Sequence, residues 1–310
     1  MTPRPPVLSG LKSALTSAYA LCAFAILCWA GNFVVARLAN LDVPPIALSF
    51  WRHVLAVLMV LPFVLPALRR DWPAIKSHGG TLATLSFLFV LGNTLVYFSV
   101  LHTTVINAAL INSGVPVIAV FFSWVILRDL INRWQAAGIA LSILGIAVVV
   151  MRADFTVLTA LDFRLGDLYM FLAVVSWALY MVLFKRAGLS LSPWTLLLVL
   201  CAGGAVWLVP AYAAEIASGA RLRFTPLMAG SLIYVALFST IIAWACWNRG
   251  IVLIGPNRAS AFMNLHPVFG SALAIWFLGE TLQSFHVYGT LLVLTGVWLV
   301  SRNYTAAAPQ

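Results

Sequence analysis

Residues Trp244 to Glu280 read Trp-Ala-Cys-Trp-Asn-Arg-Gly-Ile-Val-Leu-Ile-Gly-Pro-Asn-Arg-Ala-Ser-Ala-Phe-Met-Asn-Leu-His-Pro-Val-Phe-Gly-Ser-Ala-Leu-Ala-Ile-Trp-Phe-Leu-Gly-Glu. The stretch has an earlier copy 151 residues upstream: Pro116 matches Pro267, Ala108-Ala109 matches Ala259-Ser260, and Asp129 stands where Glu280 stands. Both copies are apolar spans with proline at mid-depth. A mid-helix proline strips one backbone carbonyl of its partner, and in a bilayer that is tolerated only against protein or a watery cavity. Two interrupted helices at corresponding places in two halves point to a binding site between them.

Composition agrees with a membrane setting. Hydrophobic residues make up 63% of the chain and charged ones 8%, with a mean hydropathy of +1.03, which leaves little soluble surface. A net charge of +10 would suggest nucleic acid in a soluble protein. Here the basic residues sit at the ends of apolar runs and report orientation instead, so no nucleic-acid partner is expected. The four cysteines, Cys22, Cys28, Cys201 and Cys246, lie inside apolar runs without a Cys-x-x-Cys pair and read as packing residues. The apolar stretch after Lys12 is a full span in length and keeps its place in the repeat, so it reads as a retained first helix.

A hydrocarbon core of about 30 Å needs about 20 residues of helix. Ten such spans are expected: 17–39, 46–68, 79–101, 105–127, 133–152, 166–187, 192–214, 227–250, 256–278 and 286–302. The connections are short, the longest lying around Arg69-Arg70-Asp71-Trp72-Pro73, Asp154 to Gly166 and Glu215 to Pro226. The Pro-rich start and the tail from Ala306 read as disordered. The repeat runs on at an offset of 148, where Trp29 matches Trp177, Arg37 Lys185, Pro45 Pro193 and Pro62 Pro210. At 151, Gly138 matches Gly289 and Gly145 matches Gly296. The reading is therefore an all-α integral membrane protein of ten transmembrane helices in two inverted five-helix repeats, residues 1–152 and 153–310, forming one membrane domain. Lys and Arg near span ends number twelve on the face of the two termini (Arg4, Lys12, Arg69, Arg70, Lys76, Arg128, Arg133, Lys185, Arg186, Arg249, Arg258, Arg302). The other face has six (Arg37, Arg52, Arg152, Arg164, Arg221, Arg223), which places both termini in the cytoplasm.

Asn257-Arg258-Ala259-Ser260-Ala261-Phe262-Met263-Asn264-Leu265-His266-Pro267-Val268-Phe269, then Leu278-Gly279-Glu280, then Gly289 and Gly296, resemble the drug/metabolite transporter superfamily in its ten-helix EamA-type branch. Phe50-Trp51-Arg52 resembles the arginine at the start of that family's second helix, and the resemblance covers essentially the whole chain. The first half departs from the pattern at Arg128-Asp129, where Gly-Glu is usual. Within the branch the chain most resembles bacterial aromatic amino acid exporters. The resemblance implies export of small organic solutes across a bacterial inner membrane, with other metabolites or drugs as the alternative cargo.

The residues suggest where a cargo would sit. Trp29 and Trp177 are repeat mates near the bilayer midplane, with Asn32 on the face of Trp29 and Tyr180 on the face of Trp177. Plain helix packing is the competing account of either tryptophan. Asn93 and Tyr97, with Trp244 and Asn248 at the equivalent places, form a second polar and aromatic set, for which interhelical hydrogen bonding is the competing account. Asn112 and Asn264 flank the breaks, and Pro116 and Pro267 are candidate hinges. His266 is a candidate contact or a buried neutral histidine bonded to a helix carbonyl. For Arg52 two readings stand open, snorkelling outward or attracting an anionic group. The walls suit amino acids, aromatic and other large neutral ones foremost, carried by alternating access. No metal set, cofactor motif or hydrolase motif appears, which argues against an intramembrane enzyme, and no filter-like loop suggests a channel. The expected partners are a small-molecule substrate (amino acids) and the lipid bilayer; no oligomeric state follows.

Overall fold

An apolar run in lipid must satisfy its own backbone, and without a closed barrel that means a helix. The computed structural model describes residues 17–40, 42–152 and 164–301, and the described residues contain helices and no strand. Arg4, Lys12, Asp154, Arg302 and the two tails lie outside them.

Among the described residues ten apolar helical segments alternate in direction. They are α1 (Ala18–Ala39), α2 (Pro45–Ser77), α3 (Gly79–His102), α4 (Val105–Leu127), α5 (Arg133–Val150), α6 (Leu165–Ala187), α7 (Pro193–Ala217), α8 (Pro226–Ile254), α9 (Pro256–Ser260 continued through Leu265–Leu278) and α10 (Ser284–Ser301). Among the described residues, nine helices are long and apolar enough to cross a membrane, and α10 is a shorter apolar helix. The protein is an all-α integral membrane protein. Ser17 and Ser301 mark one face, called here the terminal face; Glu215 and Glu280 lie on the opposite face.

One boundary departs from expectation. The run Arg69-Arg70-Asp71-Trp72-Pro73 is no loop: α2 continues through Pro62, Pro66 and Pro73 to Ser77. Long-range bonding holds the extension. Asp71 is buried and accepts from the Ser192 amide at 3.0 Å, at the start of α7, and from Arg70 Nε at 2.9 Å. Lys76 lies 5.6 Å from the Trp72 ring centre, a cation–π contact.

The helices pack in reciprocal pairs. α3 lies along α6 as α1 lies along α8; α2 packs on α7 and α5 on α10. The last pair touches backbone to backbone. A Cβ at Gly138 would stand 2.6 Å from the Gly296 carbonyl oxygen, and one at Gly145 2.8 Å from that of Gly289. Small residues therefore set this helix separation, as packing in lipid requires where apolar side chains gain nothing by leaving the solvent.

Both central helices are broken. The first half of α4 is Val105–Asn112, the second Val115–Phe122, followed by the π-helical turn Ser123–Leu127. The break falls at residues 113–114, so Pro116 occupies the first turn of the second half, where its missing N–H leaves no helix bond unmade. In α9 a 3₁₀ turn, Ala261–Asn264, precedes Leu265–Leu278, which carries Pro267 in its first turn. The two helices then end alike. Arg128 (φ 59°) and Gly279 (φ 67°) are both left-handed, and each lets the following carboxylate turn away. The first half thus holds an L-residue where the second uses glycine, at a cost of about 1–2 kcal/mol. Asp129 accepts from Ser123 Oγ at 2.6 Å and from Lys185 Nζ at 2.9 Å. The Ser123 hydroxyl first, and then the Lys185 ammonium, hold its carboxyl below the usual carboxylate range.

On the far face three carboxylates tie helix ends together. Glu280 accepts from the amides of Val105 (2.8 Å) and Ile106 (3.0 Å) at the start of α4, and Glu215 from those of Ile46 (3.1 Å) and Ala47 (2.8 Å) at the start of α2. Asp167 is buried and accepts from Thr103 Oγ1 at 2.5 Å and Asn107 Nδ2 at 3.4 Å. His286 of α10 bonds Asn107 Oδ1 at 2.8 Å through Nε2 and accepts the Gln283 amide on Nδ1 at 2.9 Å.

Candidate substrate site

The interior begins with Arg52, seven residues after the start of α2. It does not snorkel. The side chain is 4% exposed and turned into the protein, so the far-face tally of six loses this member and becomes five. Its Nε donates to Thr240 Oγ1 at 2.7 Å and its Nη1 to Tyr97 Oη at 2.9 Å. Two weaker contacts, at 3.5 Å, run from Nη1 to Asn32 Oδ1 and from Nη2 to Ser239 Oγ. Tyr97 Oη in turn donates to Asn32 Oδ1 at 3.3 Å. All five side chains are buried, and they come from α1, α2 and α3 of the first half and α8 of the second. Ser239 and Thr240 lie in a π-helical stretch, Tyr234–Ile242, where Thr240 Oγ1 bonds back to the Val235 carbonyl at 2.7 Å. Such wound-out turns concentrate at functional positions.

Trp29 adjoins this cluster. Its ring nitrogen donates to the Ser239 carbonyl at 3.0 Å, which satisfies the indole N–H. Its ring lies 5.4 Å from that of Trp247. His266, 3% exposed, stands edge-on to Phe33 at 5.0 Å.

A second aromatic group lies between α3 and α6. Phe89 touches Trp177 (5.3 Å) and Tyr180 (6.0 Å), and Tyr180 stacks on Phe184 at 6.1 Å. A Cβ at Gly92 would meet the Trp177 ring nitrogen at 2.9 Å, so glycine is what lets the indole lie flat on α3. His53, the neighbour of Arg52, stands edge-on to Phe89 at 5.8 Å and joins the two groups through α2.

The expected site residues thus divide. Asn32 and Tyr97 meet around Arg52, with Trp29 and His266 alongside; Trp177 and Tyr180 meet at Phe89. Asn93 is buried but donates to Phe89 O of its own helix at 2.8 Å. Trp244 is half-buried and reaches the Pro193 carbonyl at 3.1 Å, at the start of α7 near the terminal face. Asn112 and Asn264 are half-buried at the two breaks. Ser239, Thr240, His53 and Phe89 were not legible as site residues; a lone polar pair within the apolar run of α8 was the one trace of the first two. Among the described residues no group of three or more His, Cys, Asp or Glu could hold a metal.

Comparison with known proteins supplies the family. The EamA-like transporter family matches residues 16–151 and again residues 164–302. The chain is 28% identical over 262 residues to the uncharacterized transporter YyaM of Bacillus subtilis (strain 168), covering 83% of this chain and 84% of that protein. It is 24% identical over 290 residues to a probable amino-acid metabolite efflux pump of Escherichia coli (strain K12), covering 90% and 93%. One solved crystal structure shares the fold at a TM-score of 0.59 and 17% identity, over 94% of this chain and 99% of that one. With interrupted helices in both halves, a polar and aromatic interior between them, and a family match over nearly all of its length, this chain belongs to the EamA-like transporter family of the drug/metabolite transporter superfamily.

Proposed function

We propose that this transporter exports amino acids, with aromatic and other large neutral ones favoured, by alternating access around the interior between its halves. The observation that carries the reading is the pairing of flat aromatic walls, Trp29 with Trp247 and Trp177 with Phe89 and Tyr180, with the Asn32 amide and Tyr97 hydroxyl of the first half and the Ser239 and Thr240 hydroxyls of the second. Two relatives named as probable amino-acid metabolite efflux pumps, at 24% identity, support it. Pro116 and Pro267, each just past a helix break, are the proposed hinges.

Aromatic stacking adds about 0.5–1.5 kcal/mol beyond area burial, a preference of about two- to tenfold. Trp177→Ala is therefore expected to slow phenylalanine and tryptophan counterflow in proteoliposomes by about that factor relative to threonine. Unaltered relative rates would remove the aromatic wall from the reading.

The setting proposed is a bacterial inner membrane with both termini in the cytoplasm, supported by the excess of Lys and Arg on the terminal face. A single cysteine at Ser284 is then expected to react with an impermeant maleimide from outside intact cells. Modification from the cytoplasmic side alone would invert the orientation.

A further inference from the structure

We propose that Arg52 anchors a carboxylate of the cargo and that the site does not require the ammonium, so that apolar monocarboxylates such as N-acylated aromatic amino acids are carried alongside the free amino acids. The inference rests on the reading that this interior is the transport site, and it adds the chemistry of one end of it.

An ionised guanidinium buried in a membrane protein is costly unless an opposite charge or a full set of acceptors meets it. Arg52 has five N–H donors. Its acceptors are all neutral, and two of the four contacts lie at the 3.5 Å limit. Among the described residues no carboxylate answers it, since all six are engaged elsewhere. Glu215, Glu280 and Asp167 hold helix ends on the far face, Asp71 and Asp129 are bonded near the terminal face, and Asp42 accepts from Thr225 Oγ1 at 2.6 Å. The firm bonds from Nε to Thr240 and from Nη1 to Tyr97 fix the plane of the fork. The weak contacts to Asn32 and Ser239 are the ones an incoming carboxylate would replace with charge-assisted bonds.

The repeat supplies an independent argument. Arg52 maps onto Leu200 at the offset of 148, and Thr240 maps back onto Phe89 at 151; Asn32 maps onto Tyr180 and Ser239 back onto Leu88. Those four mates, Leu200, Phe89, Tyr180 and Leu88, belong to one buried apolar cluster. Four of the five positions that build the cationic polar end thus have mates in an apolar aromatic end, while the fifth, Tyr97, maps onto Asn248. Such a pair of ends fits a molecule with a carboxylate at one extremity and an apolar body at the other. Among the described residues nothing at either end supplies a negative charge for an ammonium.

Binding of phenylalanine, N-acetylphenylalanine and phenylalaninamide to the purified full-length protein, by calorimetry, tests this alongside counterflow of labelled phenylalanine in proteoliposomes. The amide, which lacks the carboxylate, is expected to bind about tenfold more weakly or worse than phenylalanine, the scale of a lost charge-assisted hydrogen bond, while the N-acetyl compound stays within about threefold. Arg52→Gln is expected to erase the discrimination against the amide, and Arg52→Lys to keep part of it. Where Arg52→Gln does not fold, as judged by size-exclusion and thermal melting, the three ligands on the wild type decide. Equal binding of phenylalanine and its amide, or loss of binding on N-acetylation, overturns the proposal. Carboxylate-dependent binding without phenylalanine flux would instead overturn amino acid export and leave the anchor standing.

Discussion

Gly138→Val and Gly296→Val are each expected to remove the folded protein from the membrane fraction, with melting points far below wild type in whatever survives extraction. A side chain at Gly296 would place its Cβ 2.1 Å from Ser142 Oγ and 2.5 Å from the Gly138 carbonyl oxygen, and one at Gly138 would meet the Gly296 carbonyl at 2.6 Å. The neighbours at fault are largely backbone, which cannot rotate away as a side chain could. Overpacking against mobile side chains costs about 1–3 kcal/mol, and a backbone clash falls at or beyond the upper end of that range. Gly145 and Gly289 repeat the contact one helix segment along, so α5 and α10 cannot tilt apart at one point without losing the other. Fluorescence size-exclusion yield and thermal unfolding in detergent measure the effect. Gly80→Ala, at a site with nothing within 4 Å of the added carbon, serves as the control and is expected to melt at or slightly above wild type. Equal melting of Gly296→Val and Gly80→Ala would mean that the helices do not touch as described.

Much of this architecture was legible because the period of the repeat and the length of the apolar runs are properties of sequence. The helix ends of α1, α3, α5 and α6 fall within two residues of the spans expected. The extension of α2 was not legible, because what holds it is the Ser192 amide on Asp71, 121 positions away, while its local composition is that of a polar turn. The interior shows the same division. Depth along a helix can be counted, so Trp29 and Trp177 could be placed near the middle of their helices; which way a polar side chain faces depends on its neighbours. Arg52 could be placed about two turns into α2, but Thr240, its firmest partner, lies 188 positions on and is presented by a π-helical turn that no local pattern announces. Asn93 illustrates the converse. It has the right depth and the right chemistry, and its amide bonds its own helix.

Glu280→Ala is expected to open the far face. The carboxylate accepts two amides that would otherwise be unpaired at the start of α4, and it sits at the positive end of that helix, so the interaction combines charge-assisted hydrogen bonds with the helix dipole. It can do so only while α9 lies against the first half of α4, an approach seen where a Cβ on Gly270 would stand 2.7 Å from the Ala109 methyl. In the proposed alternating-access cycle the contact favours the conformation in which the far face is closed, and a group that binds one state alone shifts the balance by its full interaction energy. Taking about 1–2 kcal/mol for a half-buried pair of such bonds, the closed state loses about five- to thirtyfold in population. Ala109 is fully buried in this structure. A cysteine placed there, with the four native cysteines replaced by alanine, is expected to react with an impermeant maleimide about five- to thirtyfold faster when Glu280→Ala is added. Asp129→Asn makes the matching change on the terminal face, where the carboxylate holds Ser123 and Lys185, and is expected to leave far-face labelling at the level of the parent. Labelling at Ala109 that ignores Glu280 would show that the carboxylate caps a helix without controlling access, and the closure would then rest on the apolar packing of Gly270 against Ala109 together with the Asp167, Asn107 and His286 network beside it.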